Sequence, residues 1–155
     1  MEVEQMFFFN FMVSKLHTCI TTPEEEILTQ DSPGSDMFFI SQGDCAVNII
    51  DKQGETHVAV RLLSVGNHFG EISTIYGCKR TSTVISRNYN TMARISQDNF
   101  HVVATEFPEF EKLLKMYCFR YFDIRKEFLQ NMLHKVEFLR TGLTLEVTHE
   151  VIFSL

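Results

Sequence analysis

The chain has 155 residues, of which 45% are hydrophobic and 22% charged, the mix of one soluble domain that can bury a core without disulfide or metal staples. Its net charge of −6, from 14 Lys and Arg against 20 Asp and Glu, argues against a nonspecific nucleic-acid binder, which carries a basic face. The same charge leaves room for a small anion held by one or two buried cations.

From Met1 to about Cys19 there is no Gly or Pro, and Phe9, Met12, Val13 and Leu16 fall at helical spacing, so a helix is expected there, ended by Thr21-Thr22-Pro23. The apolar run Met6–Val13 within it is broken by Asn10 and is too short to span a bilayer. The acidic start Met1-Glu2-Val3-Glu4 is not that of a secretory signal, so a cytoplasmic chain, or the cytosolic part of a membrane protein, is expected.

From Ile27 to Ile95 the texture changes. Six of the seven glycines lie here, and between them run Met37–Ile40, Ala46–Ile50, His57–Leu62, Thr83–Ser86 and Thr91–Ile95, rich in β-branched and aromatic residues. Short strands separated by glycine turns predict an antiparallel sandwich or barrel, with Asp51-Lys52-Gln53-Gly54 as a hairpin turn. Beyond it, Ser96 or Asp98 caps a helix through Phe100, Val103 and Ala104. Phe107-Pro108 interrupts that helix, with Pro108 suited to the first turn of the next. A long stripe of Phe110, Leu113, Leu114, Tyr117, Tyr121, Ile124, Phe128 and Leu129 follows and needs a surface to lie on.

Four scattered cysteines without a C-x-x-C pair, and six histidines without H-E-x-x-H or H-x-H, give no zinc motif, and reduced thiols are expected. The chemistry concentrates in His68-Phe69-Gly70-Glu71-Ile72-Ser73-Thr74-Ile75-Tyr76-Gly77-Cys78-Lys79-Arg80-Thr81-Ser82-Thr83-Val84. A single helical turn fits between Glu71 and Gly77 and offers unpaired backbone N–H groups to an anion. Arg80 can place its guanidinium fork on the same anion, and Thr81 and Ser82 add hydroxyls. An ionised Glu71 only accepts hydrogen bonds, so it suits a sugar hydroxyl rather than a phosphate. Phosphate, sugar and a barrel wall for a base together describe a nucleotide.

This segment resembles the phosphate-binding cassette of the cyclic-nucleotide-binding domain family: F-G-E, a short helix, then Arg nine positions after Glu, as in Glu71 and Arg80. Ser32–Gly43 is similar to the family's early strand motif. Ser96-Gln97-Asp98-Asn99-Phe100 with Phe107-Pro108 resembles the helices after the barrel in cyclic-nucleotide-regulated channels. The resemblance implies an α+β fold, an antiparallel β-barrel or jelly roll with an N-terminal helix and C-terminal helices packed on it. It implies that the cleft formed by Phe69, Gly70, Glu71, Ile72, Ser73, Arg80, Thr81 and Ser82 holds cAMP or cGMP. In that cleft Glu71 would accept from the ribose 2′-hydroxyl, and Arg80, with amides around Ile72 and Ser73, would hold the cyclic phosphate. Tyr117, Tyr121 and Ile124 would form a lid over the base. Thr81 stands where cAMP-preferring kinase subunits carry Ala, and its hydroxyl could reach a guanine amino group. Pro23 is followed by Glu24 where the family has Gly, so an irregular first strand is expected.

The expected organisation is an N-terminal helical segment (1–22), a cyclic-nucleotide-binding domain (23–132, with the barrel at 27–95 and helices at 98–132), and a helical tail (133–155). The tail's His149–Leu155 is loosely like Asn10–Leu16, as if a second repeat began there. The expected role is regulatory rather than enzymatic: nucleotide binding moves the helices of an attached effector, a channel before a kinase. A nucleotide-free assembly domain of the same fold stays open as an alternative.

Overall fold

The computed structural model describes residues 3–51 and 53–123. In chain order they form α1 (Val3–Ser14), β1 (His17–Thr21), β2 (Glu26–Leu28), β3 (Met37–Gln42), β4 (Cys45–Ile50), β5 (Thr56–Leu63), β6 (His68–Phe69), α2 (Glu71–Tyr76), β7 (Thr83–Ser86), β8 (Asn90–Ile95), α3 (Gln97–Glu106) and α4 (Pro108–Asp123). The expected tail (133–155), the lid candidate Ile124 and the end of the long stripe lie outside the described residues.

The strands make two four-stranded antiparallel sheets, β1-β8-β3-β6 and β2-β7-β4-β5, a jelly roll of the expected class. Alternation along β3 builds two cores at once. Phe38 and Ile40 join Leu28, Val47, Leu63, Phe69, Val84 and Met92 between the sheets. Met37 and Phe39 face the other way, where Ile95, Phe100, Val103 and Leu114 pack the helices onto the first sheet.

The expected helix ends early. His17–Thr21 is a strand, paired with β8 from His17↔Arg94 to Thr21↔Asn90. The roll therefore begins ten residues before Ile27, and β-branched Thr18, Ile20 and Thr21 override the helical pattern upstream. The buried face of α1 also differs from expectation. Phe9 and Val13 are exposed, whereas Phe8, Phe11 and Met12, at i, i+3 and i+4, turn toward the helical core. Phe107 is the anchor, with ring centroids 4.9 Å from Phe8 and 5.6 Å from Phe11.

At the entrance to β2 the expected irregularity is a turn. Glu25 N–H donates to Thr22 C=O at 3.2 Å, Pro23 takes the second position, and Glu24 takes the third with φ 63°. A type II turn requires that positive φ and favours Gly there. The β2–β7 register then shifts between Glu26 and Leu28. Ser96 rather than Asp98 caps α3, its hydroxyl accepting from Asn99 N–H at 3.3 Å. Pro108 opens α4, whose buried line is Phe110, Leu114 and Cys118, with Leu113 and Tyr117 more exposed.

Candidate functional site

β6 runs directly into α2 through Gly70, which takes φ 85°. A Cβ at Gly70 would stand 2.6 Å from the Asp36 carbonyl oxygen and 3.0 Å from Arg80 Nη1, so only glycine lets these three chain segments meet. The Gly70 carbonyl accepts from Arg80 Nη1 at 3.1 Å and from Thr74 Oγ1 at 3.0 Å. Gly77, with φ 63°, closes α2 by donating its N–H to the Ser73 carbonyl at 3.0 Å.

Arg80 is held on all sides. Its main chain donates to Ser32 C=O at 3.0 Å and accepts from Asp31 N–H at 2.9 Å. A Cβ at Gly34 would lie 2.9 Å from its Nε. The side chain is 4% exposed. Burial pulls the guanidinium below the usual arginine value, while Asp36, Cys78 and Glu71 oppose that pull. An arginine stays charged through such a shift, so a buried cation lines the cleft.

Glu71 is also buried, at 8% exposed. Burial pushes its carboxyl above the usual carboxylate value, opposed in order by its own backbone N–H, Arg61, the Cys118 thiol and Arg80. Cys118 Sγ on α4 lies 3.8 Å from Glu71 Oε1. Burial, then Glu71 itself, pushes that thiol far up, so it is a neutral donor.

Glu71 and Arg80 line one cleft. Of the residues expected there, Phe69, Gly70, Glu71, Ile72, Ser73, Arg80, Thr81 and Ser82 all line it. Tyr117 stands at its rim on α4, with its ring 4.8 Å from the His68 ring and its hydroxyl accepting from Arg61 Nη2 at 2.9 Å. Tyr121 belongs to the same helix.

The sequence reading missed Arg61, His68, Leu28, Val47, Leu63 and Val84, all of which line the cleft. Registers place Leu28, Val84, Val47 and Arg61 side by side across β2, β7, β4 and β5, an apolar floor that ends in a cation. A bulge sets the facing of Arg61. Pairing passes from Val47↔Arg61 to Ile49↔His57, so three residues of β5 oppose Asn48. Within the bulge Ala59 takes φ 49°, and its N–H donates to Asn48 Oδ1 at 2.7 Å. Such bulges re-aim side chains beside binding sites. His68 Nε2 is buried without a hydrogen-bond partner among the described residues, and burial with Arg61 nearby lowers the ring's pKa.

A buried cation and a buried carboxyl group share one cleft at the turn into a short helix, inside a jelly roll. The family profile for the cyclic nucleotide-binding domain matches residues 21–106, more than half of the chain. The chain belongs to that family. It is 32% identical over 110 residues to the human cyclic nucleotide-gated channel alpha-2, covering 67% of this chain and 16% of the channel. It is 28% identical over 130 residues to the mouse potassium/sodium hyperpolarization-activated cyclic nucleotide-gated channel 2, covering 84% of this chain and 14% of that one. The chain thus spans about one sixth of the length of these curated relatives. Among solved structures, the catabolite activator protein of Thermus thermophilus has the same fold, with a TM-score of 0.69 at 15% identity over 80% of this chain and 59% of that chain. No helix among the described residues is long and apolar enough to cross a membrane.

Proposed function

We propose that this chain is a regulatory module that binds a 3′,5′-cyclic purine nucleotide in the cleft under α4. It is not an enzyme on this reading. Arg80 and the Ile72 and Ser73 amides take the cyclic phosphate, Glu71 accepts from the ribose 2′-hydroxyl, and the base lies on the apolar floor toward Tyr117. The observation that carries the reading is the placement of Glu71 and Arg80, both buried and both lining the cleft at the Gly70 turn. Buried charged groups are retained where a ligand or partner satisfies them.

Binding would favour the arrangement in which α4 lies against the cleft, because Tyr117 and Cys118 touch residues that the nucleotide also touches. That shift would pass to an attached effector. A channel is favoured over a kinase by the 32% identity to a cyclic nucleotide-gated channel, and the module would then sit on the channel's cytosolic side.

The test is isothermal titration with cAMP and cGMP on the wild type and on Arg80→Ala, after thermal melts show that both fold. Losing a charge-assisted hydrogen bond of about 1.5–3 kcal/mol should weaken binding at least tenfold. No heat and no thermal shift with either nucleotide would overturn the reading and leave an assembly domain of the same fold.

A further inference from the structure

The cleft holds a titratable side chain that the proposed nucleotide contacts leave idle. His68 lines the cleft and pairs with Phe39 in the first sheet. Its Nε2 is buried and has no hydrogen-bond partner among the described residues. The Tyr117 ring of α4 meets the His68 ring at 4.8 Å, and the Tyr117 hydroxyl accepts from Arg61 Nη2 at 2.9 Å. We propose that a proton and α4 compete for this corner: acid charges His68 and lifts α4 off the cleft, and a nucleotide that holds α4 down expels the proton. The second half of that statement rests on the cyclic-nucleotide reading, and the first half does not.

A neutral imidazole carries one donor and one acceptor, whereas the protonated ring has a hydrogen on both nitrogens. One of those hydrogens would sit on the partnerless Nε2, and the ring's charge would be held out of water, which is costly unless a counter-charge answers it. Among the described residues none of the neighbouring elements supplies one. β5 contributes Arg61, a like charge, and burial followed by Arg61 lowers the ring's pKa. β3 contributes Phe39, an apolar ring 6.2 Å away. α2 contributes Glu71, whose carboxyl is pushed above the usual value by burial, so it loses its charge as pH falls. α4 contributes Tyr117 and Cys118, and that thiol stays neutral because burial pushes its pKa far up. The carboxylates in the first turns of α4 are engaged elsewhere, Glu109 with Lys112 at 3.6 Å and Glu111 with Lys115 at 3.1 Å. The face of Tyr117 is an attraction for an imidazolium, but the lowered pKa shows that burial and Arg61 outweigh it.

Water is the remaining partner for the charged ring, and Tyr117, itself 40% exposed, is the α4 side chain that must move to admit it. Docking of α4 on a neutral His68 is therefore favoured at neutral pH and weakened as pH falls toward the docked ring's lowered pKa. Linkage makes the effect reciprocal: a ligand that favours the docked helix disfavours the proton by the same factor. A His68 that only filled space would hold α4 equally well at every pH.

Two measurements on the whole chain test this, with His68→Gln and His68→Phe as variants that take no proton. Phe keeps an aromatic ring under Tyr117, and thermal melts at pH 7.5 establish which variant folds. The first measurement needs no nucleotide. Cys118 faces inward from α4 and is 2% exposed, so its rate of labelling by dipyridyl disulfide, which reacts in acid, reports how often α4 lifts. The ratio of wild-type to variant rates cancels the reagent's own pH dependence. It should be near one at pH 7.5 and roughly fivefold to tenfold at pH 5.5, as one group with an ordinary pKa of about 6.5 allows. A ratio that stays flat across that range overturns the proposal.

The second measurement is titration calorimetry with cAMP and cGMP. From pH 7.5 to 5.5 the wild type should lose about threefold more affinity than the variant. At pH 6, in buffers of different ionisation enthalpy, it should also release more proton per nucleotide. Glu71 titrates in both proteins, so the difference belongs to His68. Equal pH dependence in wild type and variant overturns the antagonism between proton and nucleotide. No binding of either nucleotide by the folded wild type at pH 7.5 sinks the cyclic-nucleotide reading instead, and the labelling ratio then still decides whether a proton lifts α4.

Discussion

The two ends of the cleft are built in different ways. The Arg80 end is made from one local stretch of chain and the 31–36 loop beside it, and its parts are buried, glycine-shaped and bonded to main chain. The Arg61 end is assembled from three separate elements, β5, β6 and α4, which meet through half-exposed side chains. Main-chain bonds outside α4 hold Arg80, whereas the second end includes Tyr117 of α4 itself. A rigid end can supply affinity common to all ligands of the class, whereas an end completed by a helix can convert the ligand's arrival into motion.

Gly70→Ala attacks the rigid end and should have the largest effect. Its methyl would meet the Asp36 carbonyl at 2.6 Å in a backbone conformation with φ 85°, for a loss of about 2–4 kcal/mol in urea unfolding. A loss under 1 kcal/mol would mean that the Arg80 end yields as readily as the other. Glu71→Gln should part stability from function. Because the folded-state pKa of Glu71 is raised, its contribution to stability is fully present below the unfolded value and is lost as pH rises through the folded one. At neutral pH the variant should therefore gain on the order of 1 kcal/mol without nucleotide, while nucleotide affinity falls about tenfold.

His68, at the other end, should respond to pH with the opposite sign. Its folded-state pKa is lowered, so its contribution is present above the unfolded value and is lost as pH falls toward the folded one. Melts of His68→Gln against wild type from pH 7.5 to 5.5 should converge at the acid side, where the wild type has lost the His68 contribution. A parallel offset at all pH values would place the histidine outside the buried network. Tyr117→Phe should be the mildest change. It removes one half-exposed hydrogen bond to Arg61, so stability should move by no more than about 0.5 kcal/mol and affinity by less than about threefold. A larger loss of affinity would show that the open end is held as firmly as the Arg80 end.

The same division explains what could be read from the sequence. The Arg80 end was legible because Gly70, Glu71, Gly77 and Arg80 lie within eleven consecutive positions and each has a role that few residue types fill. β3, β4, β5, β7 and β8 were legible from glycine spacing. β2 and β6, of three and two residues, are too short for alternation to register, and β1 follows α1 with no Gly or Pro between them. Arg61 was hidden for a different reason. Its facing depends on the bulge around Ala59, which leaves no mark in the alternation of Val58-Ala59-Val60-Arg61-Leu62-Leu63. Cys118 was passed over beside Tyr117 because helical spacing allows either to face inward, and only the packing of α4 chooses.

Thr74 ties three parts of the molecule into one. Fully buried within α2, it donates its hydroxyl to the Ser35 carbonyl at 2.6 Å, and its own carbonyl accepts from Gln97 Nε2 at 3.2 Å. The cleft-lining stretch is therefore not a portable part. A chimera that carried residues 68–84 into another barrel would inherit the Glu71 and Arg80 side chains that line the cleft, yet it would lack the Ser35 carbonyl below and the α3 amide above. Its short helix would have the right sequence on the wrong footing. Moving this stretch into another barrel means transplanting the 31–36 loop and the start of α3 along with it.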